Sequence, residues 1–393
     1  MKKIALIDCN NFFVSCEELK NPELSGKAVC VLSNNDGCVV SRSNEAKKLG
    51  IRMGMPYFMA KREFPNAIYL SSDIGYYHNI AVRIREVFYE YSPHVEVYSI
   101  DEAFLDLTGL DKIFNLSYFE LISQIRNDIK TRVGIPVSIG LAPSKTLAKL
   151  AVEKAKKGDF LREITPDNLI DEITNVEIEM IWGIGRRTAS KLRSYGIFYV
   201  NDLIERGDDF YKKNFGKVGL ELKYELKGFS VIKDVSSEEK PKSLQRTSSF
   251  PKFSNNKDYI RQSLLKHLHN TCVKLRSLNL ATKNIFVMLR TKDFKMQVNN
   301  EFLQDALNSE FLLSKIVDSL FEKMYQDGIL YRSSGIYVAG FEDLSIKQLG
   351  LFRKEDNIKS DKIAQVFDRL EKKFDRGIVT LGYIYPDQNK KSF

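Results

Sequence analysis

The chain has 393 residues, and 60 lysines and arginines against 51 acids leave a formal charge of +9. With 43 % apolar and 11 % aromatic residues it has the composition of a folded protein, which excludes disordered and fibrous classes. No apolar run approaches the ~18 residues of a membrane span, so a cytoplasmic protein without a membrane partner is expected, with roughly two to four domains.

Lys3–Asp8 is a short apolar run that ends in an acid, which predicts a buried strand reaching a polar site. The same run is too short for the core of a signal peptide. Lys27–Ser33 and Cys38–Ser41 flank Asn34-Asn35-Asp36-Gly37, a hairpin signal. Asn79–Tyr91 has helical periodicity, and Val95–Leu107 alternates as a pair of strands would. Leu116–Val133 is a second amphipathic helix, Val137–Leu141 a strand, and Ser144–Lys157 a helix with a serine N-cap. Strands and helices in this order predict an α+β sheet covered by helices on one face. Ile173–Leu203 reads as helical with glycine-rich turns, a second small domain.

The polar segment Val235–Ser243 reads as a linker. Beyond it come a strand (Leu244–Phe250), a helix (Asp258–Leu278), two strands (Asn284–Arg290 and Phe294–Val298), a helix (Ser309–Gln326) and a strand (Ser334–Phe341). That is the split β-α-β-β-α-β order. Glu342–Phe393 is charged and expected to be peripheral. Five cysteines, Cys9, Cys16, Cys30, Cys38 and Cys272, include no Cys-x-x-Cys pair, so free and mostly buried thiols are expected.

The positive charge is local. Between Lys240 and Asn300 there are 13 lysines and arginines and only two acids, Asp258 and Asp293, with Phe250, Phe253 and Tyr259 among the cations. A block of this kind predicts a surface for a polyanion, nucleic acid first.

Asp8 ends one strand, and Asp101 and Glu102 sit together in Tyr98-Ser99-Ile100-Asp101-Glu102-Ala103-Phe104. Within an unbroken strand the two neighbours face opposite sides, so both reach one site only where the chain turns. Three carboxylates from two segments suit a pair of Mg²⁺ ions, which take oxygen ligands and bridge phosphate oxygens. Taken alone, the same residues also read as a strand end and an exposed tip.

Asp8-Cys9-Asn10-Asn11-Phe12-Phe13, Leu32–Asn35 with Asp36-Gly37-Cys38, Asn44-Glu45-Ala46-Lys47, Ser99–Phe104 and Trp182-Gly183-Ile184-Gly185 occur together and in order. In these motifs the chain resembles the Y-family translesion DNA polymerases, and within them the UmuC type, over about residues 1–340. The resemblance implies a right-hand layout: a palm (1–11 and 76–165), fingers (12–75) and a thumb with a helix-hairpin-helix (166–234). A linker (235–243), a DNA-gripping little finger (244–342) and a tail (343–393) follow.

It also implies roles. The catalytic carboxylates are Asp8, Asp101 and Glu102, with the backbone carbonyl of Cys9 as a further ligand to two Mg²⁺ ions. Phe13 falls at the steric gate that excludes a ribose 2′-hydroxyl, while Phe12 also reads as a core residue. Ser41, Lys47, Lys156 and the backbone around Phe12-Phe13 match contacts to the deoxynucleoside triphosphate. Two departures from the pattern stand out: Lys47 replaces the arginine of many relatives, and Asn44 replaces a tyrosine. Gly37-Cys38-Val39 and Gly54 match the small residues that roof the nascent base pair. Gly183, Gly185, Arg186 and Arg187 match a phosphate grip on DNA.

Gln348-Leu349-Gly350-Leu351-Phe352 resembles a peptide that docks on the sliding clamp, with Gln348, Leu349, Leu351 and Phe352 as its anchors. As a short amphipathic turn it would instead pack on its own domain. Relatives of the UmuC type work with a UmuD-type dimer and a recombinase filament, which the resemblance offers as further partners beside primed and damaged DNA. The function so implied is error-prone, template-directed deoxynucleotidyl transfer in SOS damage tolerance and DNA repair. A catalytically idle DNA-binding factor on the same scaffold is the alternative; a nucleotide cyclase would leave the helix-hairpin-helix and the basic domain unexplained.

Overall fold

The computed structural model describes residues 1–33, 36–233, 240–344, 363–364, 366–370 and 373. Two compact units divide the chain, residues 1–238 and 239–393.

In the first unit β1 (Ile4–Cys9) leads into α1 (Phe12–Lys20), and β2 (Val29–Leu32) pairs antiparallel with β3 (Val39–Arg42). The tip of this hairpin, Asn34-Asn35, lies outside the described residues. Two short helices follow, α2 (Asn44–Lys48) and α3 (Tyr57–Glu63), before β4 (Ile68–Ser71) joins β2 in parallel. The long helix α4 (Ile74–Tyr91) precedes the hairpin of β5 (Val95–Val97) and β6 (Glu102–Asp106). Next come α5 (Leu110–Phe114) and α6 (Tyr118–Arg132), the latter opened by a reciprocal capping box of Ser117 and Glu120. β7 (Val137–Ala142), α7 (Lys145–Ala155) and β8 (Leu161–Glu163) complete the main sheet, whose order is β5-β6-β1-β7-β8. Ser144 caps α7 by accepting from the Leu147 amide, as its sequence predicts.

One expectation is corrected. The sheet is buried on both faces, not one: all six residues of β1 are buried. Ala5, Ile7 and Cys9 pack with α1, α4 and α6, while Ile4 and Leu6 pack with α7. The same apolar cluster takes in α8 (Leu169–Ile173), α9 (Arg186–Arg193), α10 (Val200–Ile204) and α11 (Asp208–Leu226). Continuous apolar text in β1 is the signature of such two-sided burial. Among the described residues no helix is long and apolar enough to cross a membrane.

The second unit runs β9 (Ser243–Ser254), α12 (Lys257–Ser277), β10 (Leu280–Thr291), β11 (Met296–Leu307), α13 (Glu310–Met324) and β12 (Tyr331–Asp343). All its strand pairs are antiparallel, in the order β11-β10-β12-β9, which is the split arrangement that the sequence predicts. Leu264, Leu268, Val317 and Phe321 of the helices cover Ile285, Val287, Ile336 and Val338. Phe286 and Tyr337, which alternate with those strand residues, meet edge-on at 5.1 Å on the opposite face.

Two further expectations change. Part of the tail is not peripheral: Ala364 is fully buried, Phe367 meets Phe311 at 6.1 Å, and Asp368 takes two 2.7 Å hydrogen bonds from Arg276. The basic block is also less bare than its sequence. Lys240, Lys257, Arg261, Arg276 and Lys283 pair with Asp343, Glu322, Asp318, Glu310 and Glu342, all from beyond residue 300. All five cysteines are free, and four of them are buried.

Candidate active site

Two neighbouring strands bring the first acids together. Asp8 of β1 and Glu102 of β6 are cross-strand partners, and the Cys9 amide donates to the Asp101 carbonyl at 3.0 Å, one step further along. Alternation turns Asp8 and Glu102 toward the face that Ile4, Leu6 and Phe104 share with α7. Asp8 is only 8 % exposed.

Helix α7 answers these acids with a file of lysines. Lys145 pairs with Glu96, Lys149 with Glu102 at 2.6 Å, and Lys156, just past the helix, with Asp8 at 2.9 Å. Burial pushes the Asp8 carboxyl up to about 7, against the pull of Lys156 and with a hydrogen bond to Glu102 adding to the rise. Glu102 is held below the usual carboxylate range despite its burial, by hydrogen bonds from Asp8 and Lys149. Two acids in one buried place share charge badly, and the burden falls on Asp8.

Asp101 is at the hairpin tip, as the turn argument requires, but its carboxylate accepts from the Ser99 hydroxyl. Among the described residues no three acidic, histidine or cysteine side chains gather as a metal cage. The expected trio is therefore a close pair, Asp8 and Glu102, with Asp101 next to Glu102 in the turn before β6.

The start of α1 forms the neighbouring edge. Asn11 precedes the helix in a left-handed conformation (φ 49°) and makes no side-chain cap, so the amides of Phe12 and Phe13 gain no bond from it. Ser41 is buried there, its hydroxyl donating to the Asn11 carbonyl and accepting from the Val14 amide. Lys47 reaches the side-chain oxygens of Asn11 and Asn44. Partial burial, with Arg42 and Lys156 nearby, lowers its ammonium. Phe12 is a core residue, and Phe13 is half-buried. The Gly37–Val39 segment lies beside 54–57, joined by amide bonds from Val39 to Met55, Gly54 to Val39 and Tyr57 to Gly37.

Gly183, Gly185, Arg186 and Arg187 are exposed at the N-terminus of α9, and Gly183 takes φ 89°. The residue before them reaches back to the hairpin of β5 and β6. Trp182 packs at 5.5 Å on Tyr98, donates to its hydroxyl, and lies 6.0 Å from Phe104. Lys149 in turn sits 4.6 Å over the Tyr98 ring. Sequence reasoning missed Lys149 and Tyr98. The seven-residue step from Lys149 to Lys156, two helical turns, was the available signal. Gln348, Leu349, Leu351 and Phe352 lie outside the described residues.

Comparison with known proteins fits this arrangement. Residues 7–153 match the model of the impB/mucB/samB family and residues 241–351 that of its C-terminal domain. Protein SamB of Salmonella typhimurium is 32 % identical over 93 % of this chain and 89 % of its own. The chain belongs to the impB/mucB/samB family of Y-family DNA polymerases.

UmuC of Salmonella typhimurium is likewise 32 % identical, over 95 % of this chain and 91 % of its own. DNA polymerase IV of Leptospira interrogans is 31 % identical over 83 % and 90 %. Among solved structures, a Y-family polymerase chimera of Dbh and Dpo4 matches with a TM-score of 0.72 at 25 % identity, over 86 % of this chain and 98 % of its own. DinB from Sulfolobus solfataricus matches over the same shares at 26 % identity and a TM-score of 0.55. The fold is thus that of a Y-family catalytic core followed by a little finger, and the protein is a DNA polymerase of the translesion group.

Proposed function

We propose that this polymerase extends a DNA primer opposite damaged template bases, with Asp8, Asp101 and Glu102 as its catalytic carboxylates. The observation that carries the reading is the cross-strand pair of buried Asp8 and half-buried Glu102, bordered by Lys149 and Lys156. An all-oxygen donor set of this kind, with the Cys9 carbonyl beside it, fits hard divalent cations better than softer metals. Two Mg²⁺ ions held there would supply the charge that activates a primer 3′-hydroxyl and stabilises departing pyrophosphate.

The chain's own groups do the remaining work. Lys156 and Lys47, with the Ser41 hydroxyl and the Phe12 and Phe13 amides at the start of α1, bind and orient a triphosphate and neutralise charge that grows during transfer. Phe13 offers a ribose 2′-hydroxyl neither room nor a hydrogen-bond partner, which selects deoxynucleotides. The glycines and arginines at the start of α9 hold a DNA phosphate without reading sequence. In domain terms, residues 1–11 and 76–165 act as palm, 12–75 as fingers, 166–234 as thumb and 244–342 as little finger. The segment 348–352 is proposed as the docking peptide for a sliding clamp, and a UmuD-type dimer and a recombinase filament as activating partners.

Primer extension past an abasic site tests the reading, with Mg²⁺, deoxynucleotides and the Asp101→Ala variant in parallel. Extension by the native chain that disappears in the variant, while DNA binding persists, supports it. An Asp101→Ala enzyme that extends as well as the native chain overturns the carboxylate assignment. DNA binding without extension, even with clamp, filament and UmuD-type partner added, favours the idle factor.

A further inference from the structure

At one end of the second unit's sheet three segments meet. Thr291 of β10 pairs with Tyr331 of β12, and Tyr331 with Ser254 of β9. The turn 292–295, the start of β12 and the end of β9 therefore share one edge. Phe294 stands in that turn with φ 65°, a conformation that aromatic residues seldom adopt. Its amide donates to the Thr291 carbonyl, and its ring is 62 % exposed. Phe253, 46 % exposed, lies across the same edge.

The guanidinium of Arg332 ties the two rings together, 3.8 Å from the centre of Phe294 and 5.8 Å from that of Phe253. Arg290 approaches Phe294 at 5.8 Å, and its buried Nε has no hydrogen-bond partner among the described residues. Phe253 also walls an open groove of about 400 Å³ with Pro251, Lys252, Asn256 and Tyr259.

Charge completes the description. Arg290 and Arg332 lie at the rings, and Lys252, Lys292 and Lys295 stand beside them in the chain, with Asp293 the one acid between Arg290 and Lys295. None of these five cations is ion-paired among the described residues, whereas five other cations of the same unit are. Exposed rings alone would be a folding cost with no return. Rings interleaved with unpaired cations match a polyanion that also offers flat apolar faces, and an unpaired nucleic-acid strand is such a molecule. A duplex keeps its base faces stacked inside and presents only base edges and the sugar-phosphate backbone.

We propose that Phe253 and Phe294, braced by Arg332, form a stacking site for unpaired bases of single-stranded DNA. The proposal deepens the reading of the chain as a DNA polymerase, naming the strand form that this edge takes and the contact that holds it.

The full chain is titrated by fluorescence anisotropy with a labelled oligothymidylate and with an abasic strand of equal length and charge. Base stacking contributes about 1–3 kcal/mol per base, so the native chain prefers the thymidylate by about 10-fold or more. The F253L/F294L variant keeps apolar side chains but no rings. It binds both strands alike, with unchanged salt dependence, thermal midpoint and affinity for duplex DNA. Equal binding of the two strands by the native chain overturns the proposal and leaves the edge to an acidic protein partner. So does a variant that retains the preference. Primer extension is followed in the same preparations: its failure beside an intact thymidylate preference counts against the polymerase reading alone.

Discussion

The ring of Phe13 stacks on that of Tyr77, with centroids 4.6 Å apart and planes 18° from parallel. Tyr77 is fully buried and its hydroxyl donates to Glu17 at 2.6 Å, so the half-buried Phe13 is backed by a ring that cannot retreat. The gate proposed at Phe13 needs such backing, since a surface that rejects one extra hydroxyl has to be held still. Phe13→Ala is expected to raise ribonucleotide insertion relative to deoxynucleotide insertion by roughly 10-fold or more. Tyr77→Phe keeps the stack and loses one hydrogen bond, about 1 kcal/mol of stability, with sugar selection retained. Single-nucleotide kcat/KM ratios and thermal melts check both; unchanged selection in Phe13→Ala removes the gate assignment.

Gly140 lets α7 lie close on the sheet. A β-carbon there would stand 2.4 Å from the Val152 amide nitrogen and 2.5 Å from the Ala148 carbonyl oxygen, both backbone atoms of α7. Backbone yields less readily than a side-chain tip, so Gly140→Ala has to lift the helix that carries Lys145 and Lys149 toward the acids. The expected loss is about 1–3 kcal/mol, with polymerase activity reduced even below the melting transition. Thermal unfolding and primer extension at low temperature measure the two effects. A variant with native stability would show that α7 sits less tightly than these distances require.

Lys145 has a side chain only 2 % exposed and pairs with Glu96, itself largely buried. Removing one partner strands a desolvated charge. Lys145→Met should therefore cost about 3–5 kcal/mol, and the double variant with Glu96→Gln should recover most of it. The exposed Arg132–Glu90 pair offers the contrast, since water screens it and its loss should cost far less. Denaturant midpoints for the single and double variants decide it; simple additivity would mean that the buried pair is not coupled.

His267 contacts the Ser248 hydroxyl at 3.1 Å, and burial, with Lys266 and Arg246 nearby, lowers its pKa from 6.5 to about 4. The folded chain thus keeps the ring neutral where the unfolded chain takes up a proton. Its stabilising contribution is complete above pH 6.5 and is lost as pH falls toward 4. The difference in stability between the native chain and His267→Gln should shrink across that window and stay constant above it. A difference independent of pH would place the ring in water.

Much of this protein was legible in its sequence. Period-two and helical patterns located most of the sheet strands and long helices, because burial on a strand or helix face repeats locally. The turn between β5 and β6 was expected at Asp101-Glu102, because neighbouring acids face one site only where the chain turns. The tight approach at Gly140, the backing of Phe13 by Tyr77 and the grip of Trp182 on Tyr98 were not legible. Each joins residues far apart in the chain, and no local pattern encodes such a contact.

Charge shows the division most plainly. The sequence alone determined that the second unit carries a concentrated basic block and that the first apolar strand runs into an acid, Asp8. Only the tertiary structure decided which of those charges remain available. It paired five cations of the block with acids from α13 and β12, left those beside Phe253 and Phe294 without an ion pair among the described residues, and set α7's lysines against Glu96 and Glu102. An ion pair depends on distance through space, and a count along the chain contains no such distance.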